Sequence, residues 1–372
     1  MKIAMVCPFF LPVVGGMEKH VYNLSLELQK KGHKVTVFTS AIDHSGREIE
    51  IKDEIINGIH VRRYKPWFRI GKFASAFPGF VLDLLGFDII HAHNMRHPHV
   101  ELSLWASKLR GIPLALTPHS PYHEGTRGNA LEFAVKAYDL LQSFYPLRFI
   151  DRIFALHEAE RKWLLSKGVM DEKITVAPNG IEDRFFSGTA NRGGKKKIIF
   201  IGRINKSKGL GILLGAFSKI KGRSWKLRLV GPDGGDMLEL KALAKKLGIS
   251  NKVAFEGEVT DKKLLDLLDD SEIFVLPSEY EPFGIALVEA MARGKACIAI
   301  NAGGPREIIT NGKNGILANY DENSLSAALD RLIASARLRK TLGLNAKKAA
   351  KKYRWREIAA TIEAEYKKMV QK

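Results

Sequence analysis

Short, unbroken apolar runs alternate along the chain with stretches in which apolar residues recur at helical spacing. Unbroken runs are typical of strands buried on both faces of a parallel sheet, whereas half-exposed strands alternate apolar with polar positions. The stretch after the first run places Met17, Val21, Leu24 and Leu28 on one helical face. The repeated order of strand, loop and helix therefore predicts α/β architecture with doubly wound parallel sheets.

The apolar runs fall into two series. Strands are predicted at 2–9, 35–39, 59–63, 89–93, 114–117, 153–156 and 174–177, and again at 198–202, 227–230, 253–255, 273–276 and 296–300. Between 181 and 197 the composition shifts to Gly, Asn, Arg and Lys. A polar stretch of this kind predicts a domain boundary, so we expect domains at 1–185 and 186–352 and a terminal helix at 353–372.

Composition narrows the class of protein. An apolar fraction of 45% in 372 residues supports two sizeable cores. Cys7 and Cys297 each lie in an apolar run, which predicts buried free thiols in a reducing compartment. The sequence shows neither a signal peptide nor an apolar run long enough to span a bilayer. These features predict a cytoplasmic protein.

The net charge of +19 is unevenly distributed. Residues 1–186 carry 24 basic and 20 acidic residues, a net of +4, which leaves 35 against 20, or +15, for residues 187–372. Such a surplus suits a phosphorylated small molecule, an acidic membrane surface or nucleic acid, and it also suits a plain solvated surface. Charge alone does not choose among these.

Two glycine pairs follow predicted strands. Gly15-Gly16 stands between the first strand and the first helix, where backbone N–H groups can approach an anionic ligand, and Glu18 follows in the first helical turn. Gly303-Gly304 precedes another helix and resembles a second backbone anion site. The first pair lacks the G-x-G-x-x-G spacing of dinucleotide-binding folds, and taken alone a plain tight turn explains it better than a ligand site does. The second pair is a weak signal on its own.

Basic residues cluster where the second series begins. Gly202-Arg203 ends its first strand, and Lys206, Lys208 and Gly209 follow. A guanidinium and an ammonium group at a strand-to-helix junction can hold a diphosphate. The spacing is not that of a P-loop, so the segment does not indicate an ATPase. A surface basic patch is the alternative, and it fits Lys206 better than Arg203.

The stretch 277–290 is the most specific motif. It turns a strand into a helix, and the N–H groups of Phe283, Gly284 and Ile285 can bind a sugar hydroxyl or a phosphate there. Glu281 precedes the helix, and Glu289 lies about two turns along it. Carboxylates bind sugar hydroxyls well because they accept several hydrogen bonds. Two solvated acidic residues are the alternative.

Histidines form the last group: His91, His93, His97, His99, His119 and His123. No cysteines accompany them and no H-E-x-x-H pattern occurs, so we expect no metal site. We expect one functional imidazole, His119, with structural roles for the others.

Taken in order, these motifs resemble the retaining GT-B glycosyltransferases known as family four. The resemblance covers nearly the whole chain, and it includes Trp355 before a terminal helix that crosses back to the first domain. It adds Pro178-Asn179-Gly180-Ile181, after which Glu182 stands where the family often has aspartate. The resemblance implies two Rossmann-like domains facing each other across a cleft, the first binding the acceptor and the second the nucleotide sugar.

The resemblance also implies a role for each motif. Arg203 and Lys208 would bind the donor diphosphate, and Gly15 and Gly16 would reach it from the opposite domain. Glu281 would hold the transferred sugar, Glu289 the ribose, and Phe283, Gly284 and Ile285 the donor through their backbone. His119 and Glu18 would meet the acceptor. The catalytic set would be Arg203, Lys208, Glu281 and His119.

The reaction implied is transfer of a hexose from a UDP- or GDP-sugar to a lipid or saccharide acceptor, without a divalent metal or other cofactor. No Asp-x-Asp motif occurs. No residue is an obvious nucleophile, which favours a front-face route. The alternatives are a sugar-nucleotide epimerase or hydrolase, a catalytically dead sensor and a nucleic-acid binder, though no nucleic-acid-binding motif occurs.

Aromatic and basic residues are interleaved between 64 and 80, among them Trp67, Lys72, Phe73, Phe77 and Phe80. Such a mixture suits peripheral contact with the inner face of an acidic membrane, or a buried helix beside a basic loop.

Overall fold

A computed structural model describes residues 1–70, 74–119, 146–187, 195–222 and 224–371. The predictions for Lys72, Phe73 and His123 lie outside these ranges. The chain divides into two compact units. The first unit comprises Met1–Gly180 and Trp355–Lys372, and the second comprises Ile181–Arg354. The predicted boundaries, 185/186 and 352/353, lie within a few residues of these divisions. Within the described ranges, no helix combines the length and the apolar character needed to cross a bilayer.

The first unit contains an eight-stranded sheet and a small hairpin. Its strands are β1 (Lys2–Val6), β2 (Lys34–Ser40), β3 (Asp53–Ile56), β4 (Ile59–Tyr64), the hairpin strands β5 (Phe68–Ile70) and β6 (Ala74–Ala76), β7 (Ile89–His93), β8 (Leu114–Thr117), β9 (Arg152–Ala155) and β10 (Ile174–Val176). The sheet order is β10-β9-β8-β7-β1-β2-β4-β3. All neighbours in it are parallel except β3 and β4.

Helices cover both faces of this sheet. They are α1 (Gly16–Lys30), α2 (Pro98–Arg110), α3 (Pro146–Phe149), α4 (Glu158–Ser166) and the terminal helix, which we call α12 (Trp355–Val370). Ile3 packs with α1 and α12 on one face, and the next residue, Ala4, packs with α2 and α4 on the other. This alternation confirms the doubly wound arrangement.

The second unit is built on six parallel strands in the order β13-β12-β11-β14-β15-β16. They are β11 (Lys197–Ile201), β12 (Lys226–Val230), β13 (Val253–Gly257), β14 (Ile273–Leu276), β15 (Ala296–Ile300) and β16 (Ile316–Ala318). Its helices are α5 (Leu210–Lys219), α6 (Met237–Lys246), α7 (Asp261–Asp269), α8 (Ile285–Ala292), α9 (Pro305–Ile308), α10 (Glu322–Ala334) and α11 (Ala336–Ala350).

Local sequence explains where several helices begin. The Thr260 hydroxyl accepts a hydrogen bond from Lys263 N–H at the start of α7, and the Asp321 carboxylate accepts one from Ser324 N–H at the start of α10. These side chains satisfy N–H groups that have no partner within the helix.

The terminal helix belongs to the core of the first unit. Trp355, Ile358, Ile362 and Tyr366 are buried beside α1, and the Tyr366 hydroxyl lies 2.5 Å from His91 Nδ1. The apolar spacing predicted that this segment docks, and the structure shows where. Both cysteines are buried and free, as predicted.

Every strand predicted from an unbroken apolar run is present, with ends shifted by a few residues at most. The aromatic segment 64–80 contains both exposed and buried side chains, which the membrane interpretation did not distinguish. Phe77 and Phe80 are fully buried in the core, whereas Trp67 is 80% exposed. Among the described side chains of this segment, Lys65 and Trp67 near its beginning are exposed to a possible partner.

Gly180 provides a test of the packing of α12. A Cβ atom there would overlap the Trp355 ring. Overpacking of this kind costs about 1–3 kcal/mol, so Gly180→Ala should lower the free energy of unfolding by that amount in urea titration. Gly211→Ala is the matched control, because the nearest atom to its Cβ, Leu243 Cδ2, is 3.9 Å away. The control lies inside a helix and should be neutral or stabilising. Equal behaviour of the two variants would contradict the packing account.

Candidate active site

The strand order of the second unit creates a crevice between β11 and β14. From β11 the chain proceeds to β12 and β13 on one side, whereas β14 leads to β15 and β16 on the other. From β11 and β14 the chain therefore continues towards opposite edges of the sheet, which makes this pair of strands a topological switch point. Ligands of open α/β sheets bind at the carboxyl ends of the strands at such a point. Arg203 follows β11 in the sequence, and Glu281 follows β14.

A salt bridge joins these two loops. Lys208 ends a 3-10 turn, Lys206–Lys208, and its Nζ lies 2.7 Å from Glu281 Oε2. The next residue, Gly209, has φ +65°, and a Cβ atom there would collide with the Pro277 carbonyl oxygen. Glycine at this position lets the two backbones touch, and the contact brings Lys208 to Glu281.

Arg203 and Lys206 have different surroundings. Both side chains are exposed. Within the described residues the Arg203 guanidinium takes part in no ion pair, whereas Lys206 Nζ lies 3.3 Å from Glu239. Among the residues that the structure describes, Arg203 is therefore an unpaired cation, and it lies five positions before Lys208 in the sequence. Lys206 fits the surface interpretation given above.

The loop before α8 packs against the second glycine pair, Gly303-Gly304. Gly304 N–H donates to the Glu281 carbonyl at 2.8 Å, and a Cβ atom at Gly304 would come within 2.5 Å of Phe283 Cα. The expectation that this pair forms a separate anion site is corrected in one respect, because the Gly304 N–H group is occupied. Its structural role is to support the loop that carries Glu281.

Helix α8 starts at the predicted position. Gly284 caps it with φ +95°, a conformation that favours glycine, and Ile285 is its first residue. Glu289 lies in the second turn and is half-buried. Phe283, Gly284 and Ile285 thus lie at a helix N-terminus in the same loop as Glu281, where unpaired N–H groups favour an anion.

The first unit has its own switch point, between β1 and β7. Gly15 and Gly16 follow β1, but the structure gives Gly15 a specific neighbour. The Glu18 carboxylate folds back into the space where a Gly15 Cβ would stand, whereas Gly16 is open. Glu18 is buried, its Oε1 is 3.5 Å from His44, and burial raises the pKa of its carboxyl group.

Three of the six predicted histidines, His91, His97 and His99, are paired within the protein. His91 Nε2 lies 2.8 Å from the Thr117 hydroxyl, and its other ring nitrogen faces Tyr366. His99 Nε2 donates to the His93 carbonyl at 2.7 Å. His97 precedes α2 and lies 3.2 Å from the Asn94 side chain. These contacts give His91, His97 and His99 packing and hydrogen-bonding roles within the fold.

Three imidazoles do converge: His20, His93 and His119. Each offers a ring nitrogen, and the three nitrogens lie within 4.8 Å of one another. They could therefore surround a metal ion such as Zn²⁺. The same contacts are also satisfied by hydrogen bonds, since His93 Nδ1 and His119 Nε2 are 3.2 Å apart. His20 and His93 are buried, and His119 is half-buried.

All three rings are neutral near pH 7. Burial lowers the pKa of His20 to about 4, and burial together with neighbouring histidines holds the pKa values of His93 and His119 well below the ordinary range. A neutral imidazole carries a proton on one nitrogen and a lone pair on the other. This group of rings can therefore accept a hydrogen bond from a substrate hydroxyl.

Backbone strain marks the same end of the sheet. Asn94, Arg96 and His119, which follow β7 and β8, all have positive φ. Such conformations are uncommon outside glycine and are concentrated at functional sites. His119, the imidazole singled out in the sequence, is at 58°.

Sequence reasoning missed His20 and the partner of its ring. His20 lies on the buried side of α1, and its Nδ1 is 2.9 Å from Asn179 Oδ1. The only available signal was the motif 178–181, whose asparagine contacts the histidine. The predicted residues thus form two sets, one in each unit: the diphosphate set with Lys208 and Glu281, and the histidine set with His119.

Comparison with known proteins gives the class. The Glycosyltransferase Family 4 model matches residues 14–185, and the Glycosyl transferases group 1 model matches residues 182–349. Together they span both units. The chain belongs to the group 1, family 4 glycosyltransferases, and it is a transferase enzyme.

Relatives match over nearly the full length. An uncharacterised glycosyltransferase of Methanocaldococcus jannaschii is 29% identical, with 99% of this chain and 98% of the relative covered. The phosphatidyl-myo-inositol mannosyltransferase of Mycolicibacterium smegmatis is 25% identical, with 97% and 92% covered. The structure of Anabaena HepE in complex with UDP superposes with a TM-score of 0.79 at 20% identity, covering 99% of this chain and 100% of that one. The likeness confirms the GT-B fold.

Proposed function

We propose that the protein transfers a hexose from a UDP- or GDP-sugar to a lipid or saccharide acceptor with retention of anomeric configuration. The observation that carries this proposal is the Lys208–Glu281 pair, 2.7 Å apart, at the switch point of the second unit. Arg203 is exposed in the same loop as Lys208 and forms no ion pair with the described residues. Cations and a carboxylate at one crevice suit a donor that joins a diphosphate to a sugar. Anabaena HepE, a structural neighbour, has been solved with UDP bound.

Arg203 and Lys208 would stabilise the leaving group. Breaking the bond to the anomeric carbon places negative charge on the diphosphate, and fixed cations act where that charge develops. Arg203 offers a planar, forked set of donors that matches phosphate oxygens. Lys208 would exchange part of its contact with Glu281 for a phosphate oxygen when the donor binds.

Glu281 would then hold hydroxyl groups of the transferred sugar. Its carboxylate is kept beside Lys208, and its backbone carbonyl accepts the Gly304 N–H, so both ends of the residue are fixed. The N–H groups of Phe283, Gly284 and Ile285 at the start of α8 would bind donor oxygens, and Glu289 would meet the ribose. These roles agree with those implied by the family.

In the first unit, His119 and Glu18 would contact the acceptor, and the Gly15-Gly16 turn would approach the donor. His119 is suited to this role because it is the half-buried member of a neutral group of rings. Its ring can accept a hydrogen bond from a hydroxyl group without attracting a competing anion.

Retention would follow a front-face route, in which the departing phosphate takes the acceptor proton. Arg203 and Lys208 supply the positive charge for this route, so the proposal needs no divalent metal. Full activity in EDTA is expected. Trapping a covalent glycosyl-enzyme on any side chain would contradict the front-face route.

Substitution of the two cations tests the proposed donor site. Arg203→Ala and Lys208→Ala should each lower kcat for release of nucleoside diphosphate from a nucleotide sugar by about 10²–10³, the usual cost of removing one preorganised electrostatic donor. Lys206→Ala is the matched control because it removes a neighbouring charge that is bound to Glu239 on the surface. It should change kcat by less than about threefold, as surface ion pairs contribute little.

Equal losses in all three variants would contradict the assignment, because they would indicate a diffuse charge effect. Product analysis separates the rival enzymes: a hydrolase would release free sugar as its main product in the presence of acceptor, and an epimerase would return an altered nucleotide sugar. Binding to nucleic acid that persists in Arg203→Ala, without nucleotide-sugar turnover, would favour the binder instead.

We also propose that the first unit, which would bind the acceptor, contacts an acidic membrane surface. One relative is, by its name, a phosphatidyl-myo-inositol mannosyltransferase. In this chain Lys65 and Trp67 are both exposed at the start of the aromatic segment. A basic residue beside an exposed tryptophan suits an interface in which the ring enters the headgroup region.

Co-sedimentation with acidic liposomes at low salt tests this contact. The wild-type protein should bind, and Trp67→Ala should bind several-fold more weakly because a large apolar side chain is lost from the interface. Trp105→Ala is the control, since Trp105 is also exposed but lies on α2. Absence of wild-type binding, or equal weakening by both variants, would remove the proposed surface.

A further inference from the structure

We propose that His93 is a positioning residue that holds His119 as the tautomer with its proton on Nε2, which leaves a lone pair on Nδ1 for a substrate hydroxyl. This inference rests on the proposed contact between His119 and substrate. The inference specifies which nitrogen of His119 meets the substrate, which residue fixes the His119 tautomer, and what kind of substrate group can bind there.

The contact of His93 with a thioether determines which of the two ring nitrogens of His93 carries the proton. His93 Nε2 lies 3.4 Å from Met5 Sδ, and both side chains are fully buried. A thioether sulfur has no proton to donate and acts only as a weak acceptor. The arrangement that avoids two opposed lone pairs therefore places the His93 proton on Nε2.

That assignment determines the next contact. With its proton on Nε2, His93 has a lone pair on Nδ1. Nδ1 lies 3.2 Å from His119 Nε2, so His119 must donate from Nε2. The opposite assignment would leave His93 Nε2 without a proton against sulfur in a buried position, where an unsatisfied polar contact is costly.

His20 does not compete for this assignment. Its Nδ1 is 2.9 Å from Asn179 Oδ1, and because a carboxamide oxygen only accepts, the His20 proton is on Nδ1. Its Nε2 then has no proton, and no partner for that atom occurs among the described residues. The His20 ring stands nearly perpendicular to His119, with centroids 4.9 Å apart. It cannot donate to His119 from Nε2.

The consequence concerns the ligand. His119 is the half-buried residue of the three, whereas His20 and His93 are buried, so the proposal assigns the substrate contact to the remaining nitrogen of His119. A lone pair on that nitrogen accepts a hydrogen bond from a hydroxyl group and repels phosphate or carboxylate oxygen. The His119 position therefore selects a sugar or polyol hydroxyl group over an anionic group.

Tautomers are measurable without activity. In the protein labelled with ¹⁵N at histidine, long-range proton–nitrogen correlation spectra distinguish an imidazole protonated on Nε2 from one protonated on Nδ1. The His119 signals are assigned by their loss in His119→Asn. The expected result at pH 7 is an Nε2–H form for His119 and an Nδ1–H form for His20.

Three variants separate positioning from packing. His93→Phe keeps a ring but removes the acceptor, so the His119 signals should change to a mixture of tautomers, and kcat should fall by about 10–100-fold, as is usual when an orienting partner is lost. The KM for the nucleotide sugar should stay within about twofold, because the donor is held by other residues. His93→Asn places an amide oxygen near the former Nδ1 and should recover most of kcat. His99→Phe, which removes an equally buried imidazole, should leave the His119 tautomer unchanged.

Several results would overturn the inference. An Nδ1–H form of His119 in the wild-type protein would do so, as would an unchanged His119 tautomer in His93→Phe. Stoichiometric zinc bound through these rings would also overturn it, since metal ligation would occupy the nitrogens that the hydrogen bond uses. A failure of nucleotide-sugar turnover in the wild-type protein would instead remove the proposed function, and the tautomer measurement would still stand.

Discussion

Close contact between backbones at the carboxyl ends of β11, β14 and β15 is the constraint on which the second unit's site depends. Gly209 touches the Pro277 carbonyl, and Gly303 and Gly304 lie against the loop that carries Glu281. Any side chain at these glycines would force the loops apart. Because they touch, a lysine from one loop and a glutamate from the next meet at 2.7 Å across the switch point. Glycine at these positions therefore determines the distance between the Lys208 and Glu281 side chains as well as the conformation of the turn.

The fold was predictable from sequence because parallel strands buried on both faces leave unbroken apolar runs. The strands that sequence reasoning missed lack this signature. Strand β3 lies at the sheet edge with alternating exposure, and β16 has only three residues. The ends of the units were harder to place, because Ile181 N–H donates to the Tyr353 carbonyl and ties two distant segments of the second unit together. A composition shift cannot reveal that contact.

The candidate site was predictable in its residue types and only partly in its arrangement. Arg203, Lys208 and Glu281 stood out because charged groups follow buried strands. The packing role of Gly303-Gly304 could not be predicted, because the sequence does not show whether a glycine N–H group is free or already hydrogen-bonded within the protein. His20 was hidden because its helical position marks it as a buried residue, and its contact with Asn179 joins residues far apart in the chain.

Hydrogen exchange of the full-length protein with and without UDP, GDP and ADP tests the central claim most directly. The account predicts that at least one of these diphosphates slows exchange of backbone amides in 202–209 and 277–285, where the loops after β11 and β14 meet. The same protection should be lost in Arg203→Ala. Protection confined to other segments, or no protection by any of the three, would contradict the assignment of this crevice as the nucleotide-sugar site.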